Sequence, residues 1–174
     1  VPGEPPMFYE QRDVPHGTVH GHRYASESLG VTRGLYVYTP PGYETSPAQR
    51  YPVLYLLHGS GDTEDAWTVV GRCNFIADNL QAEGKAKPMI IAMPYGHTPS
   101  SGSDRSAFGK DLLGDVIPFV QKNYRVKAGR ENLAITGLSM GGGQSLRVGL
   151  GHTDRFAWIA AFSSSAPSGE ELDR

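Results

Sequence analysis

Two periods of apolar spacing run along this chain, and their alternation divides it into elements. Gly17 to Ser26 and Arg33 to Thr39 read as strands; in the second, Leu35, Val37 and Thr39 alternate with Tyr36 and Tyr38. Pro40-Pro41-Gly42-Tyr43 closes that strand with a turn. Tyr51 to Leu57, Met89 to Met93 and Leu133 to Thr136 are short, nearly continuous apolar runs, the pattern of strands buried on both faces of a parallel sheet, with Pro94 stopping the second. Cys73 to Ala82 carries Phe75, Ile76 and Leu80 at helical spacing and ends at Gly84. Ser106 to Tyr124 places Leu112, Leu113, Val116, Ile117, Val120 and Tyr124 on one helical stripe, with Pro118 expected to bend it. Phe156 to Phe162 reads as a sixth strand. Strands alternating with helices predict an α/β fold, a mostly parallel sheet with helices on both faces. Residues 1–15, rich in proline, read as an extended lead-in, and residues 16–174 as one domain.

The most informative stretch is Ala134 to Gly143. An apolar run stops at Gly137-Leu138-Ser139-Met140-Gly141, and small residues then lead into Gln144-Ser145-Leu146-Arg147-Val148. Strand, sharp turn and helix around Gly-X-Ser-X-Gly form the context of a nucleophile elbow. Side chains at positions 137 and 141 would strike the neighbouring strand or helix, and strain at the turn lifts the Ser139 hydroxyl toward the positive end of the following helix. Upstream, Leu56-Leu57-His58-Gly59-Ser60-Gly61 is a His-Gly turn directly after a buried strand. Acyl transfer builds negative charge on a carbonyl oxygen, and the backbone N–H groups of Met140 and Ser60 are the expected donors to it. His58 is expected to shape its loop rather than act as a base. Trp67 and Tyr95 follow strand ends and could stack on an aromatic acyl group, and Gly96 to Ser106 reads as a mobile loop beside the site.

Composition narrows the picture. The chain has 174 residues, 39% hydrophobic and 20% charged, enough for one domain with a real core. A net charge of -2 gives no reason to expect nucleic acid or an anionic membrane, and no apolar stretch approaches the ~20 residues of a membrane span. Cys73 is the single cysteine, so no internal disulfide forms. His16, His20 and His22 give a His-X3-His-X-His spacing without an acidic or cysteine partner nearby, so no metal is expected, and the chemistry asks for no cofactor. Gly141-Gly142-Gly143 lacks the Lys-Ser/Thr pair of a phosphate cradle.

Residues 51–67 (YPVLYLLHGSGDTEDAW), Ile76 to Leu80, Lys110 to Leu113 and Gly137 to Ser145 (GLSMGGGQS) resemble the esterase D-type α/β hydrolases. Within these the chain is most similar to the feruloyl and acetylxylan esterases of carbohydrate esterase family 1, from about Pro15 onward. The resemblance implies the α/β-hydrolase fold and serine hydrolysis of a small-molecule or plant polysaccharide ester. It implies Ser139 as nucleophile with Met140 and Ser60 around the oxyanion, in an extracellular or periplasmic enzyme. Because the chain begins at Val1, a signal peptide or upstream module is expected to have been removed.

One departure matters. A hydrolase of this fold takes its acid and its histidine after the serine, in the order Ser, Asp/Glu, His. After Ser139 the single histidine is His152, and residues 140–151 contain no Asp or Glu. The expectation is that these residues are the N-terminal two thirds of the domain and lack its last elements, leaving an apolar sheet edge. The polar tail Gly169 to Arg174 then reads as an interrupted loop, and a C-terminal segment or second chain supplies the acid and histidine. The alternatives are a non-catalytic binding module or inactive fragment on a hydrolase fold, or an esterase of the S-formylglutathione or siderophore type.

Overall fold

The computed structural model describes residues 6–99, 106–165 and 168–169. Part of the expected mobile loop (100–105), most of the polar tail (170–174) and the first five residues of the lead-in lie outside them.

Six strands form one sheet: β1 (Thr18–Ser26), β2 (Val31–Thr39), β3 (Val53–Leu57), β4 (Ile90–Pro94), β5 (Leu133–Gly137) and β6 (Trp158–Ile159), in the order β1-β2-β4-β3-β5-β6. β1, β2 and β4 pair antiparallel, whereas β4, β3, β5 and β6 run parallel. The helices are α1 (Ala66–Val69), α2 (Cys73–Ala82), α3 (Ala107–Asp111), α4 (Ile117–Asn123) and α5 (Met140–Gly151), and a 3₁₀ turn (Arg130–Asn132) precedes β5.

The unbroken apolar runs are explained by burial on both sheet faces. Val53, Tyr55 and Leu57 of β3 join Leu35, Val37, Ile90, Ala92 and Ile135 in a core closed by Phe108, Leu112, Val116, Ile117, Val120 and Val148. The intervening residues Leu56, Tyr38, Ile91 and Met93 face the opposite way, against Cys73, Ala77 and Trp67 of α1 and α2. Helices therefore cover both faces, as the strand–helix alternation required.

Three predicted boundaries shift. Pro94 belongs to β4 instead of ending the strand before it. It lies opposite Leu35, and the next residue, Tyr95, donates its N–H to the Gly34 carbonyl at 3.1 Å. Pro94 thus takes a non-hydrogen-bonded place in the antiparallel pair, where no N–H is asked of it. The 106–124 stripe is helical throughout but widens into a π turn (Leu112–Val116) between α3 and α4, with the Ile117 N–H reaching back to the Leu112 carbonyl. Pro118 stands in the first turn of α4, where its missing N–H is tolerated. The sixth strand is regular only over Trp158–Ile159, although backbone bonds to β5 continue through Ala160 and Phe162. Along this sheet edge Trp158 and Phe162 are exposed.

The lead-in is tied to α2. Buried Asp78 accepts hydrogen bonds from the Gly17 N–H at 2.9 Å, the Tyr38 hydroxyl at 2.6 Å and His16 Nδ1 at 2.8 Å. The Asn79 amide donates to the carbonyls of Phe8 and Glu10. The other histidines of the triplet have protein partners too, His20 on Thr39 and His22 on Tyr124. Among the described residues no three His, Cys, Asp or Glu side chains gather as a metal site.

Candidate active site

Ser139 is the second residue of the two-residue turn Leu138-Ser139 between β5 and α5, exposed, with φ 52° and ψ −111°. A left-handed φ at a non-glycine residue stores about 1–3 kcal/mol and persists only where the surroundings enforce it. Here the enforcement is steric. A Cβ at Gly137 would lie 2.6 Å from the Gly141 backbone and 2.8 Å from Leu57 Cβ. One at Gly141 would lie 2.5 Å from the His58 carbonyl oxygen and 2.7 Å from that of Leu57. Only two glycines let β5, the head of α5 and the end of β3 approach this closely.

The same approach sets the backbone donors. The Ser139 N–H is taken by the Phe162 carbonyl at 2.8 Å, and the Gly141 N–H by the Leu138 carbonyl at 2.8 Å. The Met140 N–H between them has no acceptor among the described residues, and neither does that of Ser60 on the exposed turn after β3. Leu138 locks to β3 through its N–H on the Leu57 carbonyl, which brings the turn around Ser60 beside the head of α5. Free N–H groups at a helix start attract negative charge.

His58 is buried, and both ring nitrogens are engaged. Nδ1–H donates to the Gly59 carbonyl at 2.8 Å, and Nε2 accepts from the Gly96 N–H at 2.8 Å. Burial holds its pKa below the ordinary imidazole value, which suits this neutral tautomer. With no nitrogen left to take a proton from Ser139, His58 organises loops, as its motif implied. Gln144 on α5 completes the clamp by donating to the Gly96 carbonyl at 2.8 Å.

A second clamp holds the same loop from the sheet side. Arg33 donates to the His97 carbonyl at 2.7 Å and to the Tyr95 carbonyl, while its Nε binds Asp111 Oδ2 at 2.9 Å. Asp111 is fully buried and also accepts the Tyr24 hydroxyl at 2.8 Å. Gln144 and Asp111 entered the sequence reading only inside blocks of a family resemblance, and Arg33 only as the start of a strand, since a lone Gln and a distant Arg and Asp carry no spacing signal.

Of the two aromatic candidates, Tyr95 is half-buried in the clamped loop, its ring 5.7 Å from that of His58 and 5.4 Å from that of His97. Trp67 packs against the Tyr38–Leu56–Met93 core on the α1–α2 face. His152 caps the far end of α5 with Nδ1 on the Val148 carbonyl. The 12 residues of α5 put it roughly 18 Å from Ser139 at 1.5 Å per residue. No acid or histidine in the order required of a triad meets Ser139 among the described residues.

A mixed sheet with a parallel core, helices on both faces and a strained serine turn at the carboxyl edge defines the α/β-hydrolase class. Comparison with known proteins makes the assignment narrower. Residues 26–173 match the family described as "Putative esterase", and the chain belongs to it. It is 37% identical over 99% of its length to an endo-1,4-beta-xylanase/feruloyl esterase of Xylanibacter ruminicola, covering 25% of that protein. It is 30% identical over 87% of its length to an esterase of Mycobacterium tuberculosis, covering 33% of that one. A CE1 ferulic acid esterase from Anaeromyces mucronatus, solved in complex with ferulic acid, superposes with TM-score 0.80 and 30% identity, over 90% of this chain and 61% of that one. The chain thus spans a quarter to a third of these curated relatives.

Proposed function

We propose that these residues form the nucleophile-bearing part of a serine carboxylic-ester hydrolase that releases feruloyl or acetyl groups from plant polysaccharide esters. The observation that carries this reading is the Ser139 turn: a left-handed, exposed serine at the head of α5, where the N–H groups of Met140, first in that helix, and of Ser60, on the turn after β3, have no acceptor among the described residues. In this mechanism the Ser139 hydroxyl attacks the ester carbonyl, and its proton passes to a histidine. The carbonyl oxygen becomes an oxyanion held by Met140 and Ser60 N–H, and the alcohol departs to leave an acyl-enzyme that water then cleaves. The histidine and its acid come from polypeptide outside these 174 residues. Tyr95, and Trp67 if it turns outward on binding, serve the acyl group. The feruloyl preference, and an extracellular or periplasmic location, rest on likeness to relatives named as feruloyl and ferulic acid esterases.

The test is hydrolysis of methyl ferulate and p-nitrophenyl acetate by the full-length protein and its Ser139→Ala variant. Turnover of ferulate is expected, falling by about 10⁴-fold or more in the variant. Retained turnover in Ser139→Ala would overturn the nucleophile. Absence of turnover by a folded full-length sample would instead favour a non-catalytic binding module, the reading suggested by the missing acid and histidine around Ser139.

A further inference from the structure

A groove of about 870 Å³ lies over the β1–β2 ribbon, walled by Glu64 and Asp65 before α1 and by Tyr95 and His97 after β4. Its size falls in the range of small-ligand sites. Its floor is made by two cross-strand pairs, Gly21 with Tyr36 and Arg23 with Gly34. The two glycines serve different ends. A Cβ on Gly34 would sit 1.8 Å from Glu64 Oε1, so the bare position lets the Glu64 side chain lie across β2. A Cβ on Gly21 would meet nothing closer than the Tyr36 ring at 3.5 Å, an ordinary contact, and its backbone is not left-handed. Neither sterics nor backbone explains Gly21, although an interior strand glycine weakens a strand. Its physical effect is to leave one side of the half-buried Tyr36 ring open.

The polar lining narrows the ligand. Glu64 and Asp65 supply carboxylate acceptors, and the Arg23 guanidinium, 3.9 Å from Glu64 and largely exposed, supplies a fork of donors. Arg33 on the floor offers no charge, since Asp111 and the carbonyls of Tyr95 and His97 consume its guanidinium. Two carboxylates beside one exposed guanidinium, itself paired with Glu64 at 3.9 Å, disfavour an anion. An aromatic face flanked by acceptors and donors suits a neutral polyhydroxyl ring, whose C–H face stacks while its hydroxyls bond. We propose that this groove binds a neutral carbohydrate, with one sugar ring over Tyr36 and hydroxyls on Glu64, Asp65 and Arg23. The clamped Tyr95–His97 loop is both the groove's inner wall and the neighbour of His58 and Met140, so a glycan seated here runs toward Ser139. The site extends the esterase reading to the alcohol side of the substrate, but its test needs no hydrolysis.

The full-length protein carrying Ser139→Ala is titrated calorimetrically with xylohexaose, mannohexaose and cellohexaose, and with hexagalacturonate as the anionic counterpart. Binding of at least one neutral hexasaccharide is expected, weakened about tenfold when Gly21→Val fills the space beside Tyr36 and several-fold by Glu64→Gln. Sites elsewhere in a longer polypeptide do not respond to Gly21→Val, so the difference between variants is the readout. A melting curve accompanies each sample, and if Gly21→Val lowers the melting temperature, Glu64→Gln carries the test. No binding of any neutral hexasaccharide, equal affinity in the folded variants, or tighter binding of hexagalacturonate would each overturn the proposal. Because Ser139 is already absent, failure here leaves the ester-hydrolase reading to its own assay.

Discussion

The Ser139 turn and the loop after β4 lie side by side at the carboxyl edge of the sheet, yet they are held in opposite ways. Around Ser139 the constraint is backbone against backbone: Gly137 and Gly141 admit no side chain, and no side-chain hydrogen bond caps the helix. The Tyr95–His97 loop is fixed by side chains reaching in from three elements, His58 after β3, Gln144 on α5 and Arg33 on β2, with Asp111 behind Arg33. The backbone mount around Ser139 cannot relax, whereas the loop after β4 is held by adjustable parts.

The comparison breaks most visibly at Asp111. Asp111→Ala leaves the Arg33 guanidinium buried without its counter-charge, and a loss of about 3–5 kcal/mol is expected in denaturant unfolding. An unchanged unfolding midpoint would show that the side-chain clamp contributes little. Gly141→Ala tests the backbone-held side. With Cβ 2.5 Å from a main-chain oxygen, the turn must open, and a loss of about 2–3 kcal/mol is expected. Turnover of p-nitrophenyl acetate should fall with it, because the Met140 N–H moves as the turn opens.

The pH dependence sharpens the difference between the two mounts. Burial lowers the His58 pKa, so its neutral form contributes full stability above the ordinary value near 6.5. That contribution is lost as the pH falls through the lowered folded-state value. His22, also lowered by burial and by His20, adds in the same sense. Melting temperature should therefore fall between about pH 7 and pH 5, and His58→Gln should flatten part of that slope. An unaltered slope would remove His58 from the clamp. The smallest effect belongs to Gly21→Ala, where an ordinary van der Waals contact awaits the methyl group. A gain of about 0.5 kcal/mol is expected, opposite in sign to Gly141→Ala.

The sequence by itself determined the strand runs, the two-faced burial of β3 and β4, the position of α2 and the strand–turn–helix around Ser139. All of these depend on local periodicity or on glycines whose role is steric, and local patterns survive in a linear string. It also showed that the order Ser, Asp/Glu, His could not be met through His152, because residues 140–151 carry no Asp or Glu. The tertiary structure alone decided how distant residues meet. Asp78 and Asn79, legible only as part of a family resemblance, turn out to tether the lead-in, and Asp111 of the Lys110–Leu113 block turns out to brace Arg33 across 78 residues. Pro94 kept its strand because its partner asks for no N–H there, a matter of register with β2. Trp67 lies in a core that forms only when α1 folds onto the sheet. The groove over Tyr36 likewise exists only once β1 and β2 pair and the Glu64 loop closes over them, since a cavity is a property of packing and leaves no period in the chain.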